Sequence, residues 1–372
     1  MGHGTLRVYL GAAPGVGKTY AMLAEGRRQR RRGTDVVIGF MEDYGRRMTR
    51  LMAEGLETVP RRTLVYRRTP FTEMDLDAVL ARRPTTALVD EIAHTNIPGS
   101  RNAKRWQDIE ELRAAGVDVL TTVNIQHLES LNEAVERITG VRQRETVPDG
   151  VVRAADQIEV VDMSADALRR RMSDGFVYGP EKVEDALTHY FRVGNLTALR
   201  ELALLWAADR VDEALLRYRT DAHIHRPWAA RERVVVALSG GPEGETLIRR
   251  AERLISHGAG GELLAVHVAP ADGLAGAEPG LLTHQRALVE RAGGRYHEVA
   301  GEDPAVGVLD FARAHNATQI VIGATRRGRL GSLFHPSAAT AIIQGSGEDF
   351  DCYVVTHEEA AHGRFFRRGG AS

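Results

Sequence analysis

The sequence predicts two α/β domains in tandem: a P-loop NTPase-like parallel sheet with a helical extension, then a second doubly wound α/β domain. Three observations carry this. An apolar run, Leu6 to Leu10, leads into Ala12-Ala13-Pro14-Gly15-Val16-Gly17-Lys18-Thr19 and then a helix-like stretch, the order of a phosphate-binding loop. Short apolar runs alternate with helical patterns along the first half, as βα units require. The alternation restarts at Val234-Val235-Val236-Ala237-Leu238, after a segment with His223, His225, Pro227 and Trp228 that reads as a linker. The resulting divisions are residues 1–220, a linker at 221–230, a second domain at 231–358 and a basic tail at 359–372.

The totals bound the class. The chain has 372 residues, 43% hydrophobic and 27% charged, with net charge -1. That is enough for two or three domains with real cores. No global field attracts nucleic acid, and no nucleic-acid partner is expected. Cys352 is the single cysteine, which excludes disulfide frameworks and cysteine metal sites and suits a reducing, cytoplasmic compartment. No signal peptide precedes the loop, and no apolar run is long enough to span a membrane.

In the loop, backbone N–H groups would form a nest around an anion, with the following helix adding its dipole. Lys18 would reach the β- and γ-phosphates and the Thr19 hydroxyl would hold Mg²⁺. Ala12 stands where the motif has its first glycine, with Gly11 just before it. Lysine occurs only at 18, 104 and 182, all other basic residues being arginine. A compact charge on a flexible stem is therefore singular here. The predicted nucleotide contacts are Pro14, Gly15, Val16, Gly17, Lys18, Thr19 and Tyr20.

After the loop helix, Tyr20 to Arg32, come a strand at Val36 to Phe40, a helix at Met48 to Glu54, a short strand at Thr63 to Tyr66 and a helix at Asp75 to Arg82. The strand Thr86 to Val89 then ends in Asp90-Glu91. Asp90 is the expected second Mg²⁺ ligand beside Thr19, through water, and Glu91 the candidate general base. His94-Thr95-Asn96 lies where a γ-phosphate sensor is expected, with Asn96 the candidate contact; the same residues also suit a capped loop. A helix from Asn102 to Ala115 and a strand from Val117 to Val123 follow. Asn124 and His127 again lie at the sheet edge. His94 and His127 lack a third ligand at metal-binding spacing. Arginines at 27, 28, 30, 31, 32, 46, 47, 50, 61, 62, 67 and 68 form a basic zone read as solvated helix faces.

Leu128 to Ile138 reads as a helix, Val141 to Gly150 as a loop, and Gln157 to Val161 as the last strand. Ser164 is a candidate N-cap, and Pro180 opens another helix. Leu196 to Tyr218 is a long helix with an apolar stripe through Leu196, Leu199, Leu202, Ala203, Trp206, Val211 and Leu215. In the second domain, strands at 233–238, 262–268, 296–299, 319–323 and 352–356 alternate with helices, as a doubly wound sheet requires. Gly323 to Ser332 is rich in Gly and Arg and could grip phosphates.

Residues 4–218 resemble the cytoplasmic N-terminal region of the KdpD sensor kinase family. The segments that carry this are GAAPGVGKTYAML at 11–23, LVDEIAHTNIPGSRNAKRWQDIEELRAAGVDVLTTVNIQHLESLN at 88–132, ADQIEVVD at 155–162 and GNLTALRELALLWAADRVDE at 194–213. Residues 231–358 look like the universal-stress-protein domain that follows in that family. The resemblance implies ATP at Gly15, Gly17, Lys18 and Thr19, and a part in potassium or osmotic signalling. It implies a histidine kinase, fused or separate, and a response regulator as partners, and a homodimer. It also implies a nucleotide, in some members cyclic di-AMP, in the second domain. There the sequence departs. Leu238-Ser239 stands where ATP-binding stress proteins commonly have Asp, Arg326 stands where their motif has its second Gly, and Phe334-His335-Pro336-Ser337 replaces Phe-Arg-Gly-Ser. Membrane helices, a phosphoacceptor helix and a kinase ATP lid do not follow. The chain is thus expected to be a fragment or a short family member, unable to run histidine phosphotransfer alone, with slow ATP hydrolysis at most.

Overall fold

The computed structural model describes residues 2–177, 180–222, 232–256, 261–269, 279–325, 338–347 and 349–357. The linker residues 223–230, the glycine- and arginine-rich stretch from Arg326 to Ser337, and the tail from residue 358 lie outside them. The chain divides into two units, Met1–Asp212 and Glu213–Ser372.

The first unit contains, in order, β1 (Leu6–Gly11), α1 (Lys18–Arg31), β2 (Val36–Phe40), α2 (Arg47–Ala53), β3 (Glu57–Thr58), β4 (Arg62–Tyr66), β5 (Thr69–Glu73), α3 (Leu76–Arg82), β6 (Thr86–Val89), α4 (Arg105–Ala114), β7 (Asp118–Asn124), α5 (Asn132–Thr139), α6 (Asp149–Arg153), β8 (Gln157–Val161), α7 (Ala165–Ser173) and α8 (Pro180–Thr188). It also holds the first part of α9 (Val193–Asp221). Six strands form one sheet in the order β3-β2-β6-β7-β1-β8, with every pairing parallel. A parallel sheet is covered on both faces, so its inner strands are largely apolar. Accordingly Leu6, Val8, Tyr9 and Leu10 of β1 are fully buried. Leu10→Ala should cost about 2–5 kcal/mol.

The strand order is decisive for function. β7 lies between β1, which feeds the loop, and β6, which ends in Asp90. Its own C-terminal residues therefore stand between Lys18 and Asp90. The register Gly11↔Asn124 and Val89↔Thr121 fixes this.

N-caps open two of these helices, the expected Ser164 and also Asp75. Asp75 accepts from the Ala78 N–H at 3.0 Å, and Ser164 accepts from Ala167 at 3.3 Å. Three readings are corrected. The strand at 63–66 belongs to a separate antiparallel hairpin, β4 with β5. The polar stretch 141–150 gives way to α6 at Asp149. The apolar stripe of α9 is buried at Leu196, Leu199, Ala203 and Trp206, but Val211 is 68% exposed.

The second unit contains β9 (Arg233–Ala237), α10 (Gly244–Ser256), β10 (Glu262–Ala269), α11 (Pro279–Arg291), β11 (Arg295–Ala300), α12 (Pro304–Ala314), β12 (Gln319–Thr325), α13 (Ala338–Ser346) and β13 (Asp351–His357). Its five strands run parallel in the order β11-β10-β9-β12-β13. Alternate residues serve opposite faces. Val235, Leu264 and Ile320 pack with Val308 and Ala312 of α12. Val234, Val236, Leu263 and Val321 pack with Leu247, Ile248 and Ala251 of α10.

Candidate functional site

A pocket of about 250 Å³ opens where the C-terminal ends of β1, β6 and β7 meet; Lys18, Thr19, Arg46, Asp90, Glu91 and Asn124 line it. Crevices at this edge are where doubly wound sheets bind ligands.

The loop between β1 and α1 has the backbone an anion nest needs. Gly15 and Gly17 have φ of 91° and 109°, values open to glycine and costly for other residues. Gly17 is the N-cap of α1, so Lys18 and Thr19 occupy its first turn. Lys18 is 8% exposed. Its ammonium donates to the Asn124 side chain and, at 3.3 Å, to the Ala13 carbonyl. Burial is the main force on it and lowers its pKa to about 8; Asp90 works against the shift and Arg46 with it.

Asp90 is 1% exposed. Its Oδ1 accepts from the Thr122 hydroxyl at 2.5 Å, and its Oδ2 from the Thr19 hydroxyl at 3.1 Å. A hydroxyl and a carboxylate side by side are the hard oxygen donors Mg²⁺ takes, Thr19 directly and Asp90 through water. The donor set thus fits Mg²⁺. Among the described residues no group of three or more His, Cys, Asp or Glu is placed to hold a metal ion.

Glu91 has φ of 58° and Tyr44 φ of 47°, left-handed conformations that cost non-glycine residues on the order of 1–2 kcal/mol each. The two strained residues meet: the Tyr44 hydroxyl donates to Glu91 Oε1 at 2.5 Å. Burial, then the charge of Asp90, raises the Glu91 pKa. A carboxyl moved toward neutral pH is suited to proton transfer.

A charge network runs from the pocket wall, at His94 and Glu145, to Glu73 and Arg105. Arg105 is fully buried. It donates to Glu73 Oε2 at 2.8 Å and to the Asp90 carbonyl at 3.3 Å, and its guanidinium lies 3.6 Å over the Phe40 ring. Glu73 Oε1 also pairs with His94 at 3.0 Å and accepts from the Ile97 N–H at 3.0 Å. The other His94 nitrogen lies 3.4 Å from Glu145. Burial alone would lower the His94 pKa, but the hydrogen bonds to Glu145 and Glu73 outweigh it and raise it to about 9. The His94 hydrogen bond, opposed by burial, takes Glu145 down to about 2.

The structure thus brings Pro14, Gly15, Lys18, Thr19, Asp90 and Glu91 together in one pocket. Val16 is buried, packed with Leu168, Met172 and Val177. Gly17 and Tyr20 line an adjoining cleft. Asn96 is placed elsewhere. Its amide donates to Asp108 at 2.7 Å and to the Asn102 carbonyl at 3.1 Å, which holds the loop before α4. Asn124 is the carboxamide beside Lys18, because β7 is the strand between the two halves of the site. His127 Nδ1 is hydrogen-bonded to the Glu145 carbonyl at 2.8 Å. Tyr44, Arg46, Thr122 and Glu145 were not singled out from sequence. Tyr44 and Arg46 follow β2 directly, so the rule that polar residues past a strand's C-terminal end are candidates would have found them.

The second unit has a pocket of about 260 Å³ at the corresponding edge, lined by Leu238, Ser239, Glu243, His267, Val308 and Ile322 among others. The Ser239 hydroxyl donates to Glu243.

Residues 2–211, more than half of the chain, match the family model described as KdpD, osmosensitive K⁺ channel His kinase sensor domain. The chain belongs to this family. Residues 230–349 match the universal stress protein family, so a KdpD-type sensor domain is followed by a universal-stress-protein-like domain. The chain is 53% identical over 358 residues to the sensor protein KdpD of Mycobacterium tuberculosis (strain CDC 1551 / Oshkosh), covering 96% of itself and 41% of that protein. It is 44% identical over 332 residues to that of Escherichia coli (strain K12), with coverage of 87% and 37%. The putative sensor protein KdpD of Synechocystis sp. (strain ATCC 27184 / PCC 6803 / Kazusa) is 41% identical over 327 residues, with coverage of 88% and 87%. The chain therefore spans about two-fifths of the first two relatives and most of the third. No described helix is long and apolar enough to cross a membrane.

Proposed function

We propose that the first unit is a Mg²⁺-dependent ATP switch. It regulates a histidine kinase, fused or separate, in cytoplasmic two-component signalling that controls potassium uptake. The observation that supports this most is the convergence of Lys18, the Thr19–Asp90 pair and Glu91 in one pocket. Lys18 would exchange the Asn124 amide for phosphate oxygens, and backbone N–H groups of the loop would cradle the phosphates. Thr19 and Asp90 would hold Mg²⁺, which would draw negative charge from the β- and γ-phosphates. The segment after β6 is tied through His94 and Arg105 to Glu73 at the end of β5. A change at Glu91 thereby reaches the β4–β5 hairpin. Capture of the cognate kinase and response regulator by the full chain, with and without Mg-ATP, tests the switch. Nucleotide-dependent capture is expected, and equal capture in both conditions contradicts it.

Slow ATP hydrolysis is the second reading. The strained backbone of Glu91, its raised pKa and its bond to Tyr44 favour it. Glu91 would take the proton of the attacking water as the water oxygen bonds the γ-phosphorus and the bond from that phosphorus to the β–γ bridging oxygen breaks, with ADP leaving. Turnover unchanged in Glu91→Gln would contradict this role. For cyclic di-AMP in the second unit, Glu243 is the obstacle, since a carboxylate repels phosphates. Affinity that rises in Glu243→Gln would support that ligand.

A further inference from the structure

The phosphate loop has a second cleft. It is small, about 30 Å³, and it shares Gly15, Lys18, Thr19 and Arg46 with the larger pocket, so the two adjoin across the loop. None of Asp90, Glu91 or Asn124 lines it. Tyr20, Thr49, Arg171 and Phe176 do. The polarity of a bound triphosphate follows from the loop. The lysine of the motif reaches the β- and γ-phosphates, and the backbone N–H groups that open the helix cradle the α and β. The γ end therefore faces Asp90 and Glu91, and the α end faces Thr19 and Tyr20. The nucleoside leaves the α-phosphate on the side of the small cleft.

Two large aromatic side chains stand in the open there, Tyr20 at 41% and Phe176 at 55% exposure. Exposed rings beside guanidinium groups form a stacking platform for a base. The cleft is too small to enclose a base, so the base lies against the rings with its edge toward solvent. Among the described residues no carboxylate or carboxamide side chain lines the cleft. Guanine presents donors that such an acceptor would read, and adenine presents a donor and an acceptor that a carboxamide would pair.

We propose that Tyr20, Phe176 and Arg171 form the nucleoside subsite, and that it holds purine bases by stacking without reading their edges. ATP and GTP bind with affinities within about fivefold of each other, both tighter than UTP, because purines offer the larger stacking face. This rests on the triphosphate reading of the P-loop.

The test is calorimetric titration of the full chain with four Mg²⁺ complexes: ATP, GTP, UTP and inorganic tripolyphosphate. Tyr20→Ala and Phe176→Ala should each weaken ATP and GTP by about tenfold and leave tripolyphosphate within about twofold, since it has no base to stack. Phe176→Trp should keep purine affinity. Purine affinities unchanged in both alanine variants, or ATP favoured over GTP by about a hundredfold, a margin that needs a polar reading of the base edge, would overturn the subsite and leave the phosphate site standing. Wild-type protein that binds none of the four overturns the phosphate site and the subsite together.

Discussion

The chain carries two pockets of nearly equal size, about 250 and about 260 Å³, each at the C-terminal edge of a parallel sheet. Their linings differ. The first holds Lys18, Arg46, Asp90, Glu91, His94 and Glu145. Among the described residues the second is mainly aliphatic, with Glu243 and His267 its ionisable groups, and His267 is bonded to the Leu238 carbonyl at 2.9 Å. The doubly wound fold supplies the crevice in both; the residues just past the strand ends decide what enters. In the first unit those residues are charged and braced by Arg105 and Glu73. In the second, β9 is followed by Leu238-Ser239, and the acid nearby is Glu243.

The brace can be broken first. Glu73→Gln leaves the Arg105 guanidinium buried without its counter-charge. This should destabilise the first unit by about 3–5 kcal/mol, seen by denaturant titration, with the unfolding of the second unit unchanged. A loss below about 1 kcal/mol, the range of exposed pairs, would place the pair outside the support of the site.

His94 gives a smaller, pH-dependent effect. Its folded pKa is raised, to about 9, from an unfolded value of about 6.5. The stabilisation is therefore fully present below the unfolded value and lost as pH rises through about 9. His94→Gln should cost on the order of 2–3 kcal/mol near pH 6 and much less near pH 10. A pH-independent difference would contradict the pairing with Glu73 and Glu145.

Lys18 titrates the other way. Its pKa is lowered to about 8 by burial, and phosphates would raise it. Binding of Mg-ATP near pH 8.5 should therefore take up a proton, read from calorimetry in buffers of different ionisation heat. No proton exchange would place the phosphates away from Lys18. The smallest effect belongs to the second pocket: Glu243→Gln should leave Mg-ATP affinity at the first pocket unchanged and shift stability by no more than about 0.5 kcal/mol.

Much of this was legible in the sequence, and what was not has a physical reason. β2 and β8 fall where the runs at 36–40 and 157–161 put them; β2 is a continuous buried segment, whereas β8 is a half-exposed edge strand. The β4–β5 hairpin was half seen because Thr69–Glu73 is polar, exposed at its first four residues and contains Pro70. The α6 helix was hidden by Pro148-Asp149-Gly150, which reads as a turn. Lys18, Thr19, Asp90 and Glu91 were legible because each lies in a local motif. Asn124 was placed at the sheet edge from the sequence, but its bond to Lys18, and that of Thr122 to Asp90, exist only because β7 lies between β1 and β6. Strand order is a long-range property that no local pattern states. Asn96 was expected as a γ-phosphate sensor beyond the C-terminal end of β6, but its amide holds Asp108 and the Asn102 carbonyl, whereas Asn124 is the residue that reaches Lys18.

The most direct test is calorimetric titration of Mg-ATP into nucleotide-free wild-type protein and into Lys18→Ala. Saturable one-site binding by wild type, weakened about a hundredfold or more in the variant, about 2.7 kcal/mol, is the predicted result. Equal binding by the two proteins, or none by wild type, would contradict a phosphate site at the first pocket.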